Sequence, residues 1–261
     1  MGARLRRTGP RSRRLVILGT GGNALDVLDI VDALNAGGAG WDVAGVLDDV
    51  ADRTARPFGL PVLGRLDEAA RLGAPGGSLA EAAFVNAIGS ERNHARRAEI
   101  LARTGLAPER FATLVHPAAA VSPRAALGHG CCVGFGACIG SQTRVADHVW
   151  IGATCVVGHD SVLEYAAVMA PRATISGFVR LGACCYLGSG AVVRQHLSIG
   201  EQALVGIGAV VIRDVAPRTV VVGNPARELT RGGRAGRATR SAAGPEPLVG
   251  TAARSRGDLF L

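Results

Sequence analysis

The residues best suited to proton transfer are a histidine and an aspartate that are adjacent in the chain, His159 and Asp160. A carboxylate beside an imidazole can hold the ring in one tautomer and raise its basicity, as a general base requires. The pair follows Val157 and Gly158, in a stretch of mostly small and apolar residues. The sequence therefore offers His159 either as a general base assisted by Asp160 or as a solvated histidine without a catalytic role.

A second segment has the composition of a phosphate-binding loop. Gly19, Gly21 and Ala24 form a G-x-G-x-x-A pattern between an apolar run at 15–18 and a helical stripe that begins at Leu25. Glycine lets the backbone approach a phosphate, and a helix N-terminus favours the negative charge. The pattern is compatible with NAD, with a single nucleotide such as that of a sugar nucleotide, and with a tight turn that binds nothing.

The surroundings of this loop favour the single nucleotide. Asp48 follows a second apolar run at 43–47 and could accept hydrogen bonds from a ribose or a base edge. Alternating strand and helix patterns over residues 14–112 predict a small parallel sheet, about half a dinucleotide-binding fold. The other predicted elements are a strand at 83–88 and helices at 66–72 and 92–103. We expect a Rossmann-like α/β domain whose acceptor-binding residues are Gly19, Gly21, Gly22, Asn23 and Asp48.

An unbroken six-residue period fills the second half of the chain. Every sixth residue from Val115 to Val211 is aliphatic, and the residue that follows it is often glycine. Such a period is typical of a β-helix built from hexapeptide repeats. Three hexads make one turn, so residues eighteen apart stack about 4.8 Å apart. The period predicts an all-β domain over residues 113–229, in which the repeat stops at Pro217 and the last residues form a cap.

Charge and composition argue against several other classes of protein. Residues 1–14 hold six arginines and no acid, and residues 230–261 hold six arginines and two acids. Together they account for more than the net charge of +8 and leave −2 for residues 15–229, so no basic face for nucleic acid is expected. We expect residues 1–13 and 230–261 to be disordered basic tails.

The distribution of apolar residues, histidines and cysteines argues against a membrane protein, a secreted protein and a metal site. The sequence has no apolar run long enough for a transmembrane helix, and its start does not have the pattern of a signal peptide. The spacings of the histidines and cysteines do not predict a metal site. All six cysteines lie in the repeat, three of them in a slot for small residues, which indicates a reduced cytoplasm.

Taken together, these segments resemble one family of enzymes. The chain is similar to the bacterial sugar-nucleotide N-acetyltransferases and sialic acid O-acetyltransferases of the left-handed β-helix type, over residues 14–229. The segments that carry the resemblance are 15–24, 45–49, 59–64, 87–89, 114–117, 158–160 and 222–226.

The resemblance implies a fold, an activity and a site. The fold is a left-handed parallel β-helix joined to the Rossmann-like domain. The activity is CoA-dependent transfer of an acetyl group from acetyl-CoA to an amine or hydroxyl of a sugar or nucleotide-activated sugar, without a metal. His159 would be the general base and Asp160 would orient it. Acetyl-CoA would lie between two subunits of a homotrimer, with its pantetheine arm along Gly188, Ser189, Gly206, Ile207 and Gly208.

Two positions depart from the pattern of this family. Its loop often carries a histidine near the place of Asn23, and some members have a second histidine where this chain has Val168. Because of these departures, a non-catalytic sugar-nucleotide-binding or scaffold protein with the same fold stays open as an alternative. An NAD-dependent enzyme is a second alternative, and both N- and O-acylation are compatible with the sequence.

Overall fold

A four-stranded parallel sheet occupies the first part of the computed structural model, which describes residues 13–229. The strand order is β3-β2-β1-β4, so β1 lies in the interior of the sheet. The elements of this sheet lobe are β1 (Arg13–Leu18), α1 (Gly22–Ala36), β2 (Trp41–Leu47), β3 (Val62–Gly64), α2 (Ala69–Gly73), β4 (Ala83–Asn86) and α3 (Arg97–Ala102). Short 3₁₀ helices lie at Pro57–Gly59, Leu66–Glu68, His94–Arg96 and Pro108–Arg110.

The sheet lobe differs from the sequence expectation in detail. The strand β3 was not predicted, because its three residues are too few to give an alternating pattern. The strand expected at 83–88 ends at Asn86, whose side-chain oxygen accepts a hydrogen bond from the backbone N–H of Ile88 and so turns the chain. The helix expected at 92–103 becomes α-helical only at Arg97, after a 3₁₀ turn.

Three sheets of short, mainly parallel strands form the rest of the described chain, and they fit the β-helix that the hexads predict and the left-handed type that the resemblance implies. The first face contains β5 (Leu114–Val115), β8 (Cys132–Val133), β11 (Trp150–Ile151), β14 (Val168–Met169), β17 (Tyr186–Leu187), β20 (Leu204–Val205), β22 (Val220–Val222) and the antiparallel cap β23 (Arg227–Glu228). The second face contains β6 (Ala120–Val121), β9 (Cys138–Ile139), β12 (Val156–Val157), β15 (Thr174–Ile175), β18 (Val192–Val193) and β21 (Val210–Val211). The third face contains β7 (Ala126–Leu127), β10 (Arg144–Val145), β13 (Val162–Leu163), β16 (Arg180–Leu181) and β19 (Ser198–Ile199).

The register of these strands confirms the eighteen-residue turn. Val145 pairs with Leu163, and Leu163 pairs with Leu181, each eighteen residues apart. The second residue of each strand points inwards, and Leu163 and Met169 are fully buried. The hexad aliphatics therefore form the core of the coil, and the first residue of each strand faces outwards.

The corners between faces contain two kinds of position, one that requires glycine and one that adopts a left-handed backbone conformation. Glycine is required where the next coil passes close by: a Cβ on Gly140 or Gly188 would lie 2.7 Å from a backbone nitrogen of that coil. The corners also adopt the left-handed conformation once in every six residues, whatever the side chain. Non-glycine residues with positive φ at this position are Gln142, His148, Thr154, Asp160, Ala166, Arg172, Phe178, Cys184, His196 and Gln202.

Helix α1 and a buried arginine join the sheet lobe to the coil. Apolar side chains of α1 pack in one cluster with outward residues of the first face, including Trp150. Arg97 of α3 is 1% exposed and donates hydrogen bonds to the carbonyls of Ile88, His148 and Ala166. Burial lowers the pKa of Arg97 to about 10, so the guanidinium is still charged at neutral pH. The described residues therefore belong to one compact unit.

The expected tails lie outside the described residues, apart from Arg13, which begins β1. Within residues 13–229, the helices are too short or too polar to cross a membrane.

We expect Leu163→Ala to lower the free energy of unfolding by about 2–5 kcal/mol, because it leaves a cavity in the core of the coil. The matched control is Val162→Ala on the same strand, since Val162 faces outwards and is only partly buried. Urea denaturation followed by circular dichroism measures both. Equal losses for the two variants would contradict the inward direction of the hexad position.

Candidate functional site

His159 and Asp160 form a hydrogen-bonded pair at a corner of the coil. His159 Nδ1 lies 2.8 Å from Asp160 Oδ2. Because a carboxylate only accepts, this bond favours the tautomer with hydrogen on Nδ1 and leaves Nε2 free to take a proton. The side chains are 60% and 40% exposed, so an incoming substrate can reach them. The structure therefore brings His159 and Asp160 into contact and leaves both side chains open to solvent.

The imidazole of His159 lies over a glycine of the next coil. A Cβ on Gly177 would lie 2.8 Å from Cε1 and 2.9 Å from Nε2 of His159. The following residue, Phe178, packs edge-to-face against the imidazole, with ring centroids 5.2 Å apart. The ring of His196 stacks on Phe178 at 4.7 Å. Gly177 thus leaves room for the ring of His159, and the contact with Phe178 holds the ring at its side.

Two other histidines belong to the junction between the lobes. His148 packs edge-on against Phe111 and Tyr165, and burial, followed by the charge of Arg97, lowers its pKa to about 4. His94 is buried, and its Nδ1 lies 2.8 Å from the carbonyl oxygen of Cys184. Neither ring is exposed to a substrate, so both stabilise the packing of the sheet lobe on the coil.

The glycine-rich loop lines a cavity of about 430 Å³ at the carboxyl ends of β1, β2 and β4. This is the edge of a parallel sheet at which ligands bind in open α/β folds. Gly19 has a φ of +95°, and a Cβ there would lie 2.5 Å from the side chain of Ile88. Gly21 and Gly22 have open space around them, so their backbone is accessible from the cavity. We name this space the loop cavity.

Asn23 and Asp48 are both held by hydrogen bonds in the wall of the loop cavity. Asn23 Nδ2 donates to the carbonyl of Gly89 at 2.9 Å, which ties α1 to the loop after β4. Asp48 accepts hydrogen bonds from the Thr20 hydroxyl and from two backbone N–H groups. Partial burial acts to raise the pKa of Asp48, but these hydrogen bonds outweigh it and lower the pKa from its usual value. Asp48 is therefore a carboxylate at neutral pH.

The loop cavity also contains arginines that the sequence interpretation did not single out. Arg96 and Arg103 line it from the segment that contains α3. Arg96 pairs with Glu99 at 2.8 Å, and Arg103 pairs with Asp49 at 2.7 Å. Their spacing of seven residues puts two side chains on one face of a helix, and this pattern in the sequence could have identified them. Both guanidinium groups are held by these carboxylates in the wall of the loop cavity.

The five residues expected along pantetheine lie together at a different corner from His159. We name as the first corner the column Phe135, Ala153, Pro171, Ser189 and Ile207, and as the second corner the column Ser141, His159, Gly177 and Gln195. Backbone hydrogen bonds link each column, such as Gly208 N–H to the Ser189 carbonyl at 2.9 Å. Ile207 is 82% exposed and Gly208 has positive φ. One chain therefore groups Gly188, Ser189, Gly206, Ile207 and Gly208, but separates them from His159 by the second face.

The outward side of the second face is largely apolar and partly exposed to solvent. Its outward residues include Val156 and Val192, which are 42% and 39% exposed. The first face is covered by α1, and the third face carries the ion pair between Arg180 and Glu164. Because the second face lies between the two corners, whatever covers it also approaches both of them.

Val168, at the position of the second histidine in some related enzymes, is 2% exposed and packs beneath the sheet lobe. Among residues 13–229, no three histidine, cysteine or acidic side chains are grouped closely enough to hold a metal ion.

Comparisons with known proteins give close structural matches. The acetyltransferase domain of PglB from Neisseria gonorrhoeae is 29% identical, with a TM-score of 0.71, over 84% of this chain and 100% of that one. The same domain has been solved in complex with acetyl coenzyme A. PerB from Caulobacter crescentus, in complex with CoA and GDP-perosamine, is 30% identical, with a TM-score of 0.68, over 83% of this chain and 97% of that one. No model of a protein family and no curated protein matches the chain.

Proposed function

The chain belongs to the bacterial hexapeptide-repeat family of sugar acetyltransferases, and we propose that its acceptor is the amino group of a nucleotide-activated sugar. It transfers an acetyl group from acetyl-CoA, the co-substrate class found in its structural relatives. The observation that carries the assignment is the pair His159–Asp160, an exposed imidazole whose Nδ1 is held by the carboxylate and whose Nε2 lies over Gly177.

The chemistry follows from this pair. The acceptor nitrogen attacks the thioester carbonyl of acetyl-CoA, and His159 Nε2 takes the proton that the nitrogen loses. When the C–S bond breaks, the imidazolium returns that proton to the thiolate of CoA. Asp160, bonded to Nδ1, stabilises the imidazolium in between. Backbone N–H groups near the corner would stabilise the oxyanion of the tetrahedral intermediate.

The nucleotide of the acceptor is assigned to the loop cavity. The strand order β3-β2-β1-β4 supports a Rossmann-like lobe over residues 14–112, with residues 113–229 as the acyltransferase domain. In this proposal, backbone N–H groups of Gly21 and Gly22 meet the phosphates at the start of α1. The N–H of Gly19 donates to the Leu47 carbonyl, and the positive φ of Gly19 turns the loop towards the cavity. Asp48 and Asn23 shape the nucleoside side of the cavity, where their hydrogen bonds hold them in place.

Acetyl-CoA is assigned to the part of the first corner around Ser189 and Ile207, and the active enzyme is proposed to be a homotrimer. The exposed apolar second face supports self-association, because uncovered apolar sheet surface is costly in water. Packing this face against other copies would bring the second corner of one copy towards the first corner of the next. His159 of one subunit would then meet CoA bound along Ser189 and Ile207 of its neighbour.

The alternatives are less well supported. A non-catalytic scaffold has no need for the complete His159–Asp160 pair or for the vacant space at Gly177. An NAD-dependent enzyme would leave this pair and the first corner without a role. Because acetyl-CoA and nucleotide sugars are cytoplasmic metabolites, we propose that the reaction takes place in the cytoplasm.

We expect His159→Ala to lower kcat by about 10²–10⁴-fold, because it removes the general base. Gly177→Ala tests the geometry separately, since its Cβ would push the imidazole from its position while His159 itself is retained. Both are measured by thiol release from acetyl-CoA with a panel of UDP-, GDP- and dTDP-linked amino sugars. A drop of less than tenfold for His159→Ala, in a folded protein, would remove His159 from the mechanism.

We expect Gly21→Val to raise KM for the nucleotide sugar and to leave KM for acetyl-CoA nearly unchanged. Gly21 has ordinary φ and free space around it, so valine folds but projects into the loop cavity. Steady-state kinetics with each substrate varied in turn gives both constants. Unchanged acceptor kinetics would show that the loop cavity is not the nucleotide site.

We expect Val192→Glu to dissociate the trimer and abolish transfer, because it puts a charge on the apolar outward side of the second face. Ser198→Glu is the matched control, since Ser198 is the outward residue of a strand on the third face. Light scattering coupled to gel filtration measures the mass of each variant. A fully active monomer of the wild-type chain would contradict the shared site.

A further inference from the structure

A second cavity, of about 280 Å³, lies between α1 and the first corner of the coil. We name it the corner cavity. Its role is not accounted for by the nucleotide, the base or the pantetheine arm. The side chains that define its chemistry are Asp26, Asp29, Ile30, His116, Phe135 and Trp150.

Two carboxylates of α1 provide hydrogen-bond acceptors in this cavity. Within residues 13–229, neither Asp26 nor Asp29 has a hydrogen-bond or ion-pair partner. Burial, followed by the charge of Asp29, raises the pKa of Asp26 from its usual value. Two like charges one helical turn apart repel each other, so groups that donate hydrogen bonds to them would stabilise the site.

Aromatic rings and one nitrogen donor complete the lining. Phe135 is 57% exposed at the corner, an unusual position for a large apolar ring. Its neighbour His116 packs edge-to-face against it, with ring centroids 5.2 Å apart. His116 Nδ1 accepts a hydrogen bond from the backbone N–H of Ala118, so in the neutral ring the hydrogen is on Nε2. Aromatic surface for C–H groups, with acceptors and a donor beside it, suits a sugar ring.

The helix α1 connects this cavity with the loop cavity. Gly22, Asp26 and Asp29 lie on one stripe of the helix, because residues four and seven apart share a face. Gly22 lines the loop cavity, whereas the two aspartates line the corner cavity. The stripe is about 10 Å long at 1.5 Å per residue, which a diphosphate and its attached sugar can span.

The corner cavity also opens at the end of the proposed CoA site. Phe135 and Ala153, which line it, belong to the same column as Ser189 and Ile207. From Phe135 to Ile207 the column rises four coils, about 19 Å at 4.8 Å per coil. A ligand in the cavity therefore lies along the line that the pantetheine arm would follow towards the thioester.

We infer that the corner cavity is the subsite for the sugar ring of the acceptor, with Asp26 and Asp29 accepting hydrogen bonds from its hydroxyl and amino groups and Phe135 packing on its apolar face. This inference rests on the proposed function, because it needs a nucleotide sugar in the loop cavity. Asp26, Asp29 and Phe135 are then specificity residues for the sugar, separate from those that hold the nucleotide.

The test compares the double variant Asp26→Asn/Asp29→Asn and the single variant Phe135→Ala with wild type. The probe is whichever amino sugar of the UDP, GDP and dTDP panel the wild-type enzyme acetylates, together with the corresponding nucleoside diphosphate. We expect KM for the nucleotide sugar to rise at least tenfold in both variants. KM for acetyl-CoA, and the Kd of the nucleoside diphosphate measured by calorimetry, should change less than twofold, because neither ligand enters the corner cavity.

The matched controls lie on the same helix and outside both cavities. Asp32→Asn removes a carboxylate one turn beyond Asp29, and Leu25→Ala shortens an exposed apolar side chain. Both should leave all three constants unchanged. Turnover with an acceptor KM that is unchanged in both test variants, or an equal loss of nucleoside diphosphate affinity, would overturn the subsite alone. Absence of turnover with the whole panel would instead contradict the proposed function.

Discussion

The distance between successive coils is the constraint on which the rest of the structure depends. Strands stack about 4.8 Å apart, so a side chain that leaves a corner towards the next coil meets backbone. A Cβ on Gly152, for example, would lie 2.8 Å from the nitrogen of Pro171. Glycine therefore recurs at the corner positions whose Cβ would face the next coil. This is why His159 is both rigid and accessible: its backbone is fixed by the stack, and its ring occupies the space that Gly177 leaves free.

A buried cation fixes the sheet lobe relative to that stack. Arg97 has no carboxylate partner among the described residues, and its charge is met by carbonyl oxygens from three segments. Ile88 belongs to the wall of the loop cavity, whereas His148 and Ala166 belong to corners of the coil. A Cβ on Gly89 would overlap the guanidinium, so the neighbouring glycine makes room for it. The hydrogen bonds of Arg97 thus connect the wall of the loop cavity with two corners of the coil.

The coil could be predicted almost completely from the sequence, because its period is local and each hexad repeats the same demand for one inward aliphatic residue. The pair His159–Asp160 could also be predicted from the sequence, since the two residues are adjacent in the chain. The sheet lobe was less predictable: β3 has three residues, and Asn86 ends its strand by a side-chain hydrogen bond that no periodicity records. The corner cavity was not predicted, because it joins Asp26 to Phe135 across more than a hundred residues and depends on how α1 packs against the first face.

The left-handed conformation that recurs every six residues has a consequence for how such proteins change over time. Asp160 occupies this position, as do Thr154, Arg172 and Phe178 at other corners. The coil therefore tolerates nearly any side chain there, at a similar conformational cost each time, and the chemistry of a corner is independent of its fold. An imidazole and an acid could arise at a different level of the prism by two substitutions, provided that the residue above is glycine. The corners of the coil are in this sense equivalent positions, and a reactive group can evolve at a different corner without a change in the core.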